Sequence, residues 1–202
     1  VQVTDGTLRI GMKKDVVASN DWVMMDNWRL FYHGTNSQYA PGYVPSDKEY
    51  STTNTFSISD AEALKGSPFT LPVSMTNEDG ISAFQCDIYL SSGLQMNYND
   101  EGDYAITLNS SRATSSHTIA SELQPDGAIR VIVYSNGSKL FRGNSGELFT
   151  MNLIASSIRN QSVAIRNIRM STVDELEIQT ADVTANVTVK NYTPADVNGD
   201  GT

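Results

Sequence analysis

Two apolar runs, Ala128–Tyr134 and Glu147–Ala155, constrain this chain more than any other feature. In the first, Ile129, Val131 and Val133 alternate with Arg130, Ile132 and Tyr134. The period is two, and apolar side chains fall on both faces, so the run reads as an interior strand of a sandwich. Leu148, Phe149, Met151, Leu153 and Ile154 make the second run equally apolar. Between them, Asn136-Gly137 and Gly143-Asn144-Ser145-Gly146 are turn signals. The rest of the chain must supply strands that cover these two.

It has the means to do so. From Thr55 onward, β-rich runs recur at Thr55–Ser59, Phe69–Thr76, Ser82–Leu90, Tyr104–Ser110, Thr118–Leu123, Ile129–Tyr134, Leu148–Ala155, Val163–Ser171 and Glu177–Val189. Lys65-Gly66-Ser67-Pro68, Asn77-Glu78-Asp79-Gly80, Ser92-Gly93, Asn99-Asp100-Glu101-Gly102 and Pro125-Asp126-Gly127 punctuate them. Short strands at this spacing predict an all-β fold, a nine-stranded antiparallel β-sandwich over residues 55–190. Ser59–Leu64 and Thr172–Glu177 each read as a single helical turn. A chain of 202 residues buries a proper core without disulfides.

Composition removes several classes of function. The formal net charge is −9, and Lys and Arg form no basic stripe, which argues against nucleic-acid binding. With the single cysteine Cys86 there is no intramolecular disulfide and no multi-thiolate zinc site. Cys86 is expected to be a small buried apolar side chain in a strand. No apolar run reaches the ~18–20 residues of a membrane span. No leader pattern opens the chain, and it stops inside a motif, so it reads as a piece of a longer, already processed protein.

Ahead of the sandwich, Thr7–Met12 and Trp22–Tyr32 look like two strands within residues 1–35. Two strands make no stable sheet alone, so this block must join another sheet, pair with a second copy as a homo-oligomer, or have lost most of its own domain. Trp22 and Trp28 share one face with Leu30, which favours core over sugar stacking. Residues 36–54, with Pro41, Gly42 and Pro45, have a linker's composition. Tyr39, Tyr43 and Tyr50 in it are expected to anchor the linker against a neighbouring domain.

No catalytic constellation emerges. His33 and His117 lie far apart and sit in no G-x-S-x-G or H-E-x-x-H setting, so each reads as a strand-end or surface residue. Asp87, Asp100, Glu101, Asp103 and Glu147 are available carboxylates, but a glycosidase needs two that face each other. The sharpest chemical motif is at the end: Asp196, Asn198 and Asp200 at loop positions 1, 3 and 5, Gly201 at 6, and the Thr202 carbonyl at 7. That is the first half of a calcium loop, so calcium is the expected cofactor there.

Taken together, Phe69–Asn77, Gly80–Leu94, Asp126–Ser135 and Gly146–Ala155 resemble, in order and spacing, the strands of cohesins. Cohesins are jelly-roll modules that bind dockerins in polysaccharide-degrading assemblies. Asp196–Gly201 resembles the start of a dockerin's first calcium loop, in a segment spanning 191–202. Leu8-Arg9-Ile10-Gly11 and Asp21-Trp22 through Trp28-Arg29-Leu30 resemble the last strands of a jelly-roll carbohydrate-binding domain. The resemblance implies recognition of a dockerin-like partner by a flat sheet face with polar positions on the third strand. Ala83, Gln85, Asp87 and Tyr89 would point outward there, with Cys86, Ile88 and Leu90 inward. Cellulosomal cohesins carry an Asn and an Asp two residues apart on that strand; Ala83 and Gln85 stand at those positions here. The expectation is a non-catalytic interaction or adhesion module of an exported bacterial protein, at the cell surface or outside the cell. The alternatives are direct glycan binding through exposed tyrosines such as Tyr89, Tyr98 or Tyr104, and a structural spacer.

Overall fold

The computed structural model describes residues 50–174 and 176–191. Residues 1–49, and with them both tryptophans and His33, lie outside the described residues, as does the calcium-loop motif. Twelve strands make up the described fold: β1 (Thr55–Ile58), β2 (Ala61–Leu64), β3 (Pro68–Thr76), β4 (Ile81–Leu90), β5 (Leu94–Met96), β6 (Ile106–Leu108), β7 (His117–Leu123), β8 (Ile129–Ser135), β9 (Ser145–Ala155), β10 (Gln161–Thr172), β11 (Glu177–Gln179) and β12 (Val183–Lys190). All nine expected runs contain a strand. The count rises because β2 and β5 are additional and the last run divides into β11 and β12.

These strands form two sheets. In the first, the order is β1-β3-β9, with β5 and β6 placed end to end along the other edge of β9. The second has the order β2-β12-β10-β4-β8-β7, and β11 pairs with the far end of β10. Pairing is antiparallel throughout except between β2 and β12, which run parallel. Ala61–Leu64 is therefore a strand and not the helical turn its Ala-Glu-Ala-Leu composition suggests. Weak helix propensity over four residues is outweighed by a ladder to β12. Thr172–Glu177 is not a helical turn either: the Thr172 amide donates forward to the Leu176 carbonyl at 3.1 Å, the direction of a hairpin connection between β10 and β11 and the reverse of a helical bond.

β8 and β9, adjacent in sequence, belong to opposite sheets. Their inward residues meet in the middle: Val131, Val133, Leu148, Phe149, Met151 and Leu153 are all fully buried. Leu148 is an extra residue in the β9 ladder, since Val73 pairs with Phe149 while Ser74 pairs with Glu147. This bulge lets two successive apolar side chains turn inward. An aromatic cluster bridges the sheets. Phe84 of β4 stacks on Phe149 of β9 at 5.8 Å, and Phe56 of β1 meets Phe84 edge-on at 5.3 Å.

Polar groups close one end of the sandwich. Asn54, 2% exposed, accepts from the amides of Glu78 and Asp79 and donates to the Asp79 carboxylate. Arg112 donates through Nη2 to Asn77 Oδ1 at 2.6 Å. The end of the stretch read as linker is thus fastened to the sheets; Ser51 also forms a parallel bridge with Thr180. His117, first residue of β7, is buried and stacks on Phe141 at 4.1 Å. It is a strand-end residue, but not a surface one. The Thr114 amide donates to its Nδ1, and burial holds its pKa below the ordinary value.

Cys86 lies between Gln85 and Asp87 on β4 with no exposure at all. Burial, helped by the neighbouring Asp87 charge, pushes its thiol far above the ordinary range. The folded protein is therefore expected to give no reaction with a thiol reagent at pH 8, and one equivalent per chain after denaturation. Rapid stoichiometric labelling of the native protein would show that β4 is not held as described.

Candidate recognition face

The outer surface of the seven-stranded sheet gathers most of the candidate residues, and the pairing registers place them in rows. One row runs Glu122 (β7), Arg130 (β8), Asp87 (β4), Arg166 (β10). The next runs Ala120, Ile132, Gln85, Arg169. Tyr134 sits opposite Thr118, and Ser171 opposite Ala83, one step further along. On the remaining side, Tyr89 lies opposite Ala164. Alternation along β4 puts Ala83, Gln85, Asp87 and Tyr89 on this face, as expected, with Phe84, Cys86 and Ile88 buried behind it. Leu90, expected inward, is partly buried and packs against the core.

Three of the four expected contact residues, Ala83, Gln85 and Tyr89, are half-buried. Asp87 faces the same way yet is only 2% exposed, because its neighbours close over it. Arg130 grips it with two parallel bonds, Nε to Oδ1 at 2.7 Å and Nη2 to Oδ2 at 2.9 Å. Asn167 donates from Nδ2 to Oδ2 at 2.9 Å. The Arg130 bonds hold the Asp87 carboxyl below its ordinary pKa against the opposing effect of burial, with Asn167 adding to the same direction. Asp87 is thus an organiser of this face, not a free acceptor for a partner.

Asn167 reaches Asp87 because β10 is irregular there. Arg166 pairs with Asp87 and Arg169 with Gln85, so β10 spends one more residue than β4 between those pairs. Asn167 takes a φ of +50°, a left-handed conformation that Asn tolerates better than most residues. The bulge brings Arg166 and Asn167, consecutive in sequence, to exposed positions.

Around this centre, Tyr89 donates its hydroxyl to Asp126 Oδ2 at 2.7 Å. That bond raises the tyrosine's pKa and lowers the carboxylate's. The Arg166 guanidinium lies 5.0 Å from the centre of the Tyr89 ring. Ile132 and Tyr134 are 40% and 45% exposed. β8 is an interior strand of the sheet, as expected, but among the described residues nothing covers its second face. Arg130, Ile132 and Tyr134, with Arg166 and Arg169, are the residues that attention to β4 alone passes over. The alternation in Ala128–Tyr134 puts the first three on one face, and that no described residue covers this face is invisible in the sequence.

Elsewhere, Tyr98 and Tyr104 pair across an isolated bridge and stack on each other at 5.1 Å. Asn99 caps the adjoining turn by accepting from the Glu101 and Asp103 amides. Among the described residues no three His, Cys, Asp or Glu side chains gather to hold a metal ion. No helix among them is long and apolar enough to cross a membrane.

Neither the family models nor the curated proteins include a match to this chain. Solved structures do match. A cohesin module from a Clostridium perfringens family 33 glycoside hydrolase aligns over 70% of this chain and 100% of its own, with TM-score 0.57 and 16% identity. The fold is that of a cohesin module. The sixth cohesin of Acetivibrio cellulolyticus scaffoldin B, solved in complex with a Cel5 dockerin mutant, covers 69% of this chain and all of its own at TM-score 0.57 and 17% identity. A non-cellulosomal cohesin from the archaeon Archaeoglobus fulgidus gives 0.55 and 15%, over 68% of this chain and 91% of that one. At such identities the likeness is one of backbone. Side-chain chemistry on the sheet face of this cohesin-like sandwich has to be judged from its own residues.

Proposed function

We propose that this module is a non-catalytic protein-recognition unit of an exported protein, and that it holds a dockerin-like partner on the outer face of β10, β4 and β8. The observation that carries this reading is the exposure of Ile132 and Tyr134 on β8, next to Arg130 and across Gln85 from Arg169. Exposed apolar side chains bordered by polar and charged ones are the usual make-up of a docking patch. The fold's likeness to cohesins solved with dockerins supports the same assignment.

Direct glycan binding is the second reading, and Tyr98, 64% exposed, is the observation that favours it. Two features count against it. Tyr98 already spends one ring face on Tyr104, and Tyr89 has Arg166 over its ring. A sugar platform needs free, coplanar faces.

The test is affinity against a panel of recombinant dockerin modules together with retention on polysaccharide gels. Ile132→Asp is expected to weaken dockerin binding by ~30-fold or more, the loss typical of a central apolar contact replaced by a desolvated charge. Its melting temperature should stay close to that of the parent, since Ile132 points to solvent. Retention on a neutral glycan that Tyr98→Ala abolishes, with no dockerin bound, would replace this function by the second reading.

A further inference from the structure

The recognition face has unevenly partnered charges. Among the described residues, the carboxylates on or beside it are engaged except Glu122, which stands exposed on β7 opposite Arg130. Asp87 is held by Arg130 and Asn167, Asp126 by Tyr89, Asp182 accepts from the Asn167 amide, and Glu177 accepts from Gln179. Two of the cations have no such partner. Arg166 is exposed, rests on the Tyr89 ring and has no carboxylate within ion-pair distance among the described residues. Arg169 has only a 3.6 Å approach to Glu177, with both side chains about half exposed, a geometry worth little in water. Arg130 is fixed by Asp87 yet remains 37% exposed. The face as a whole is not cationic, since Asp87, Asp126 and Glu122 match the three arginines in charge, but its β10 side presents two arginines, Arg166 and Arg169, with no strong carboxylate partner.

Resting on the dockerin-type reading above, we infer that the partner of this face is an acidic one: a dockerin-like module whose contacting helix presents two carboxylates about one turn apart, to Arg166 and Arg169. The spacing follows from the register. Arg166 and Arg169 face Asp87 and Gln85, two residues apart on β4, which is ~6.6 Å along a strand. Helix positions i and i+4 lie ~6 Å apart along their axis, so one acidic pair spans both guanidiniums. The bulge at Asn167 matters here, because it keeps both arginines on the outer face although they are an odd three positions apart. Asp87 contributes as a positioning residue. By binding Arg130 through both nitrogens and Asn167 through one, it holds the middle of the row flat and occupied, and leaves Arg166 and Arg169 as the free donors. This also gives a reason for Ala83 and Gln85 where cellulosomal cohesins have Asn and Asp. With the donors supplied by β10, a free carboxylate at position 85, directly opposite Arg169, would draw that arginine away from a partner.

The experiment uses the full chain on the same dockerin panel, with each bound dockerin also prepared with its helix Asp and Glu changed to Asn and Gln. The bound dockerins are expected to carry an acidic pair on one helix face. Arg166→Glu/Arg169→Glu should weaken them by ~30-fold or more, as should the dockerin's own amide variant, and combining the two should cost little further. Arg166→Gln/Arg169→Gln, which adds no repulsion, should show a smaller loss, and raising salt from 50 to 500 mM should weaken the parent but hardly the variant. Lys65→Glu, in the β2–β3 turn at the far edge of the sheet, is the charge control and should leave affinity unchanged. Unaltered binding by both arginine variants, with Ile132→Asp still disruptive, overturns the acidic partner and leaves the recognition face standing. If Ile132→Asp is also without effect, the face itself is wrong. Retention on a polygalacturonate gel that is lost in Arg166→Glu/Arg169→Glu would move the site from acidic proteins to acidic glycans and overturn the inference.

Discussion

Phe149→Ala should destabilise the folded module by ~3–5 kcal/mol, a drop in melting temperature of roughly 10 °C or more for a domain of this size. Phe149 is fully buried, stacks on Phe84 at 5.8 Å and meets Phe56 edge-on at 6.4 Å. Removing its ring leaves a cavity between the sheets, lined from β1 and β4. Phe84 cannot follow it, because that ring is also held by Phe141 at 5.8 Å. Phe149→Leu keeps much of the volume and should recover about half of the loss. Denaturant melts of the two variants check this, and a cost under about 1 kcal/mol for the alanine would mean that the aromatic cluster is not the centre of the core.

That centre was legible from sequence. The alternation of Ile129, Val131 and Val133 and the apolar density of Leu148–Leu153 identify residues that are buried together. Chain order and turn residues gave the antiparallel sandwich. Two things were out of reach. Ala61–Leu64 has the composition of a helix, and its strand state depends on β12, over 100 residues away. The exposure of Ile132 and Tyr134 depends on what does not pack against them, and a period of two cannot distinguish a covered face from an open one. The recognition face was half legible for the same reason. Ala83, Gln85, Asp87 and Tyr89 were placed on it by alternation. The burial of Asp87 requires Asn167, whose left-handed backbone has no signature in the run Val163–Ser171.

Asp87→Ala is the second large effect. It removes three hydrogen bonds to a nearly inaccessible carboxylate and leaves Arg130 without its partner. Arg130 can turn to solvent, which limits the damage, so the expected cost is ~2–4 kcal/mol. The effect should depend on pH with a definite sign. The folded-state pKa of Asp87 lies below its ordinary value, so its contribution is complete above the unfolded pKa of about 3.9 and fades as pH falls through the folded value. The stability gap between the parent and Asp87→Ala should accordingly be constant from pH 7 to about 5 and shrink below about pH 4. Chemical denaturation at pH 7, 5, 4 and 3 reads the gap directly. A gap that widens on acidification would mean that Asp87 is protonated in the folded state, contrary to its bonding with Arg130.

The parallel pairing of β2 with β12 has a mechanical consequence. The chain enters β2 at Ala61 and leaves β12 at Lys190, and the register sets Ala61 beside Val187 and Leu64 beside Lys190. Tension pulling backwards on the start of β2 and forwards on the end of β12 therefore acts along the strands in opposite directions. The ladder between them is sheared, so its hydrogen bonds share the load at once and cannot be opened one by one like a zip. A pull arriving from upstream first meets the Ser51–Thr180 bridge and the β1–β3 ladder, and once these have yielded the sheared β2–β12 edge is what resists it.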